Sequence, residues 1–268
     1  MKQQKRQALE GALCCLPAAA GVGALYLAPF ALALARSLSR GMGGSFVGLE
    51  NYRELLANRA FLLAAGNTLL FWALALPLSA ALGLGLALVW QKGSGRPAAC
   101  GFFPAMVPAA CSVAALKALF PGLAFEGAGG VGALLALFLW KNTGCCALLL
   151  SAALRAVPAE LTDTAADLGA GPWACFRRVR LPLLRPAFGG CLLVSLLGSF
   201  RVFREAFLLG GAHPDNALYG LQHFLYNNFA NMNYPRLAAA SVLLILITAG
   251  PGLGVLAALR HSLEGRKP

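Results

Sequence analysis

The chain has 268 residues, 59% of them hydrophobic and only 12% charged, with a net charge of +12. Soluble globular chains carry roughly a quarter of their residues as charges, so this composition excludes an ordinary water-soluble domain. The basic excess would suit a nucleic-acid binder, but the cations are split among loops and chain ends with no aromatic-interleaved patch, and no nucleic-acid partner is expected.

In chain order, a basic start (Lys2, Lys5, Arg6) precedes an uncharged run from Gly11 to Ala35. About 20 apolar residues suffice to cross some 30 Å of hydrocarbon as a helix, which predicts a span over 12–35. This run is too long for a signal-peptide core and no cleavage site leads into a polar mature chain, so it is read as a retained span. Ala60 to Trp90 is also uncharged and gives a second span, 64–90. Pro97 to Leu116 gives a third over 98–119. Gly127 to Leu154 is apolar except for Lys141 and gives a fourth over 130–153. Pro186 onward is apolar as far as Arg201, a fifth span over 187–209, and Leu237 to Leu259 supplies the sixth, 237–259. The expected fold is all-α: a polytopic membrane protein of about six transmembrane helices, one domain over 1–268 and embedded in a lipid bilayer.

Small residues such as Gly83 and Gly85, Gly189 and Gly190, and Gly250, Gly252 and Gly254 suit close packing between membrane helices. Pro77, Pro104, Pro108 and Pro251 are placed to kink them. The eight cysteines lack CxxC spacing or nearby histidine partners and read as small packing residues, not metal ligands. His213, His223 and His261 read as solvated loop or end residues.

Lys and Arg alternate between the two sides of these spans. Lys2, Lys5, Arg6, Lys92, Arg96, Arg155, Arg177, Arg178, Arg180, Arg185, Arg260, Arg266 and Lys267 fall on one side, and Arg36, Arg40, Arg53, Arg59 and Arg236 on the other. The excess of positive charge places the first side, with both termini, in the cytoplasm. Neither a P-loop nor HExxH or GxSxG is present. No cofactor and no catalytic role are therefore expected.

Ionisable residues at membrane depth are functional candidates by default. Lys141 and Asn142 fall in the fourth span; Arg201, Arg204 and Glu205 fall in the fifth. Together they read as a hydrophilic patch facing a pathway for hydroxyl-rich solutes, with Arg201 and Glu205 four residues apart and able to pair. Asn67 and Thr68 read instead as structural hydrogen-bonding residues.

The cytoplasmic loop 155–186 carries the most specific pattern. Pro158 reads as a first helical position, acids follow, and Gly169 is a stop, which predicts a short helix over about 158–168. Leu161, Ala165 and Leu168 form an apolar edge, and Glu160, Asp163 and Asp167 a polar one. A helix lying on the inner leaflet would be rich in Lys and Arg. The acidic face points instead to a groove in a protein.

This segment resembles the EAA loop of permeases from ATP-binding-cassette (ABC) importers. Asp163-Thr164-Ala165 stands where EAA would be, Gly169 is the glycine, and Val179-Arg180-Leu181-Pro182 closes the motif at matching spacing. Three further stretches are similar to the carbohydrate-importer branch: Phe46-Val47-Gly48-Leu49-Glu50-Asn51-Tyr52, the pattern of Phe61 with Asn67-Thr68, and Tyr234 through Ser241.

The resemblance implies a multi-pass subunit of a prokaryotic plasma membrane, carrying a sugar or related small polar solute. Its implied partners are a cytoplasmic ABC ATPase dimer, a second homologous permease and an extracytoplasmic solute-binding protein. Glu160, Leu161, Asp163, Thr164, Ala165, Leu168, Gly169, Ala170, Leu181 and Pro182 would carry the ATPase coupling. A polyamine or amino-acid importer of the same superfamily is the alternative, and a stand-alone secondary carrier the rival from another class.

Overall fold

The computed structural model describes residues 2–41, 44–91 and 100–264. Lys92, Arg96, Arg266 and Lys267, and the first two residues of the expected third span, lie outside the described residues. Among the described residues the elements are helices, with one isolated β-bridge between Ser39 and Phe46.

Among the described residues, four helices are long and apolar enough to cross a membrane: Leu13–Ser37, Arg59–Gln91, Gly127–Arg155 and Tyr234–Arg260. They correspond to the first, second, fourth and sixth expected spans. The other two expected spans are interrupted. The third divides into Phe103–Met106 and Ala109–Leu119, because Pro108 brings no N–H and holds Val107 extended at ψ 126. The fifth divides into Arg185–Ser199 and Val202–Gly210. It is entered through Pro172–Leu183 at a bend of 61°. Length and composition thus give four crossing helices, or five with this bent pair, against about six read from the sequence.

The chain forms two compact units, Met1–Phe61 with Leu225–Leu246, and Leu62–Phe224 with Ile247–Pro268. In the first unit, the opening span runs through a π turn at Gly23–Leu27 and presents large apolar side chains such as Leu25 and Tyr26 outward. Such a surface is costly in water and suited to hydrocarbon. The loop after it is anchored by polar side chains. Asn51 Nδ2 donates to the Ser37 and Ser39 carbonyls at 2.8 and 3.0 Å, and Tyr52 Oη lies 2.6 Å from Ser37 Oγ. Carbonyls left over at the end of the span are thereby satisfied.

The second unit is built around Gly127–Arg155, half of whose most apolar stretch is buried. Ala80, Ala87, Cys146, Leu150, Leu154, Leu184 and Cys191 form one apolar cluster across the second, fourth and fifth spans. Ser79 Oγ and Ser195 Oγ meet at 2.9 Å within it, a polar tie that hydrocarbon rewards because water offers no alternative partner. Among the cysteines, Cys146, Cys175 and Cys191 are buried packing residues. Asn67 Nδ2 donates to the Asn216 and Tyr219 carbonyls, and Thr68 Oγ1 accepts from Leu221 N–H, so both hold the segment 216–221.

One expectation about the histidines is corrected. His223 is 2% exposed, with its ring 5.0 Å from Phe203 and 6.0 Å from Tyr219. The aromatic neighbours on the flanking segments shut out the water that a loop histidine would otherwise meet. Burial pushes its pKa from 6.5 down to about 4.

Two predictions follow from this packing. A Cβ on Gly83 would lie 2.6 Å from Cys146 Cβ, whereas one on Gly85 meets nothing within 4 Å. Gly83→Ala should therefore lower the thermal unfolding midpoint in detergent, since overpacking costs about 1–3 kcal/mol. Gly85→Ala, gaining about 1 kcal/mol of helix propensity, should leave it unchanged or raise it; equal midpoints for the two variants would contradict the close crossing.

His223 generates the second prediction. The unfolded chain takes up a proton near pH 6.5 and the folded chain only near 4. Stability is therefore complete above pH 6.5 and declines as pH falls toward 4. His223→Phe should flatten that decline in unfolding midpoints measured across this window.

Candidate translocation cavity and coupling loop

The five ionisable or amide residues expected at membrane depth come together. Lys141, Asn142, Arg201, Arg204 and Glu205 all line one cavity of about 210 Å³. Lys141 and Asn142 come from the middle of Gly127–Arg155, and the other three from the interruption in the fifth span and the helix after it. Val107 and Pro108, at the break in the third span, line it as well. Sequence reasoning missed these two as site residues; Pro104 and Pro108, noted only as kinks, were the signal available.

The pairing within the cavity differs from the expectation. Glu205 Oε1 accepts from Lys141 Nζ at 2.7 Å, and the two side chains are 15% and 7% exposed, Lys141 first. Arg201 is exposed and is not the partner of Glu205. The helix interruption accounts for this. Arg201 N–H bonds to the Gly198 carbonyl and Arg204 N–H to the Arg201 carbonyl, the tighter pattern of a 3₁₀ turn. The one-face geometry of an uninterrupted helix is therefore lost between positions 201 and 205, and Glu205 turns to the central helix.

Interruption leaves the Phe200 carbonyl without its helical partner, and Gln222 Nε2 donates to it at 3.0 Å. Asn142 Nδ2 donates to the Phe138 carbonyl at 2.9 Å, and a Cβ at Gly198 would lie 2.3 Å from Asn142 Oδ1. The absence of a side chain at 198 is what lets the fifth span approach Asn142. Glu205 Oε2 is buried and has no hydrogen-bond partner among the described residues. The wall of the cavity thus contains a buried carboxylate, with Arg201 and Arg204 in the same lining.

The short helix in the loop 155–186 runs Ala159–Asp167. Pro158 is its N-cap at ψ 132, one residue outside the helix instead of the first position within it. Glu160, Asp163, Thr164 and Leu168 are exposed, Leu161 is 47% exposed, and Ala165 is half-buried. The opposite face rests on the segment 172–180, where Cys175 Sγ approaches the Thr162 carbonyl at 3.9 Å. Leu168 stands 84% exposed at the helix end.

Gly169 has φ +82. Its N–H bonds to the Ala166 carbonyl at 2.8 Å and the Ala170 N–H to the Ala165 carbonyl at 2.9 Å, the paired bonds of a Schellman ending. Such an ending needs a left-handed residue, which a β-branched side chain resists. Leu181 and Pro182 are not on this exposed helix; they line a groove at the bend into the fifth span.

Residues 81–261 match the family described as binding-protein-dependent transport system inner membrane component. The chain is 27% identical to the trehalose/maltose transport system permease protein MalF of Thermococcus litoralis, over 92% of each chain. It is 30% identical to the trehalose transport system permease protein SugA of Mycobacterium tuberculosis, over 75% of this chain and 70% of that one. It is 28% identical to the osmoprotective compounds uptake permease protein GgtC of Synechocystis, over 77% and 84%. A bacterial ABC transporter involved in import of the acidic polysaccharide alginate shares the fold, with a TM-score of 0.76 at 17% identity over 97% of this chain and 98% of that one.

The buried pair yields a test. Removing one partner of such a pair typically costs about 3–5 kcal/mol, while replacing both by apolar groups is often neutral. Lys141→Met alone should sharply lower the unfolding midpoint, and the double variant Lys141→Met with Glu205→Leu should recover most of it. Additive losses in this double-mutant cycle would show that the two side chains do not interact.

Proposed function

Because the chain belongs to the family of binding-protein-dependent transport system inner membrane components, we propose that it forms half of the pathway by which a sugar or related small polar solute enters the cell. Its partners in this reading are a second homologous permease, a cytoplasmic ABC ATPase dimer and an extracytoplasmic solute-binding protein. Both termini and the loop 155–186 face the cytoplasm, as the distribution of Lys and Arg indicates.

The observation that carries the coupling reading is the helix Ala159–Asp167, acidic, exposed and closed by a left-handed Gly169. Leu161 and Leu168 present apolar surface to the outside of a short polar helix, which suits insertion into a protein groove. Glu160, Asp163 and Thr164 supply its polar face, Ala165 keeps its inner side small, and Ala170 completes the turn. Closure of the ATPase dimer displaces this helix as a rigid body. The segment ending in Leu181-Pro182 carries the displacement through the bend at Leu184 into the fifth span, whose far half lines the polar cavity.

The sugar reading draws on the names of MalF and SugA together with the cavity's chemistry. A hydroxyl-rich solute can donate to Glu205 and accept from Arg201 and Arg204, with Lys141 and Asn142 behind them. GgtC, with its osmoprotective compounds, supports the broader class of small polar solutes beside sugars.

Two measurements test this. Single cysteines at Asp163 and Leu168 should crosslink to a co-purifying ATPase, and Gly169→Val should insert normally yet lose about tenfold or more in uptake, because forcing a β-branched residue to positive φ costs about 1–3 kcal/mol. Ion-gradient-driven transport by the purified chain reconstituted alone would identify a secondary carrier and reject the reading.

A further inference from the structure

A second concave surface lies away from the polar cavity. It is a groove of about 730 Å³ between the start of the fifth span and the end of the last, within one compact unit. Leu181, Phe188, Leu192, Val255 and Leu259 give it an apolar lining, and Gly189 sits against the Leu259 side chain at its floor. The lining also carries two cations, Arg177 and Arg185, and no acid. Both guanidinium-bearing residues are exposed, and among the described residues neither is in an ion pair.

The surroundings mark a membrane–water boundary. Trp173, 70% exposed, stacks on Phe176 with ring centroids 5.9 Å apart. Arg177 extends from the groove to a neighbouring hollow lined by Trp173 and Arg178. Tryptophan and arginine side chains of this kind settle at headgroup level. The 61° bend lays Pro172–Leu183 across the direction of the fifth span, as expected of a segment that follows the interface before the chain enters hydrocarbon.

An apolar groove between membrane helices with cations on its cytoplasmic side fits a lipid of one charge type. We infer that it holds an anionic phospholipid of the inner leaflet, one acyl chain lying along Leu181, Phe188, Leu192 and Leu259 and the phosphate held by Arg177 and Arg185. Basic pockets between spans on this side of the membrane attract such headgroups. A protein groove-binder would need acidic groups to face these arginines, and the loop helix that docks on protein is itself the acidic one. The inference rests on the cytoplasmic placement of the loop, but not on transport.

The test uses the chain purified with the subunits it assembles with, in nanodiscs carrying the same lipid in both leaflets, so sidedness does not affect the readout. A phosphatidylglycerol bearing a photoactivatable acyl chain should label peptides containing Leu192 and Val255–Leu259. Unlabelled phosphatidylglycerol should compete about 25-fold better than phosphatidylcholine, the preference that two interfacial arginines at about a factor of five each confer.

Arg177→Gln with Arg185→Gln should abolish that preference and the double Lys variant should retain it. Ala258→Trp, which fills the groove with both arginines intact, should block labelling and so separates loss of the site from loss of charge. Equal competition by phosphatidylcholine would make the groove ordinary annular surface. Labelling that appears only after partner subunits are stripped away would assign the groove to a protein. Displacement by soluble glycerol phosphate alone would remove the acyl chain from the proposal.

Discussion

Hydrocarbon offers the backbone no hydrogen-bond partners, and this constraint organises the whole chain. Each spanning segment has to satisfy its own N–H and C=O groups, so regular helix is the default and any interruption demands a local solution. Among the described residues, the helix interruptions at Val107–Pro108 and at Phe200–Arg201 both border the cavity that holds Lys141 and Glu205. At the second interruption the released Phe200 carbonyl is met by Gln222. Irregular backbone is tolerated because it lines a polar cavity and because a side chain from the following segment repairs it.

The Lys141–Glu205 pair belongs to the same logic. Two opposite charges taken out of water need each other, and their pairing fixes the helix after the interruption against the central span. Arg201 and Arg204 are left exposed as a consequence. In a membrane, exposed arginines require a polar pathway, a partner subunit or headgroups nearby. The family to which the chain belongs supplies the first two in the proposed assembly.

The loop between the fourth and fifth spans divides its work by charge. Ala159–Asp167 is acidic and exposed, suited to a protein groove, while the basic aromatic segment behind it from Trp173 to Arg185 is suited to an anionic leaflet. In the proposed assembly, with lipid on one side of the loop and the ATPase on the other, the loop would have the fixed pivot that a rigid-body stroke requires. Gly169, in the left-handed region, separates the two halves.

The sequence by itself determined the class of the protein, because uncharged runs of more than 20 residues have one stable home. It also determined the short helix Ala159–Asp167 and its end, since an acidic start and a stopping glycine act through local backbone chemistry. The five polar residues of the cavity were visible too, as charges where charges are expensive. Tertiary structure decided what those residues do to one another. Nothing local distinguishes Arg201 from Lys141 as the partner of Glu205; that depends on where the fifth span interrupts and on Gly198 admitting Asn142. His223 is likewise polar by letter and buried only by its aromatic neighbours. Local signals specify elements because they act within a few residues, whereas pairing and burial depend on segments that meet only when the helices pack.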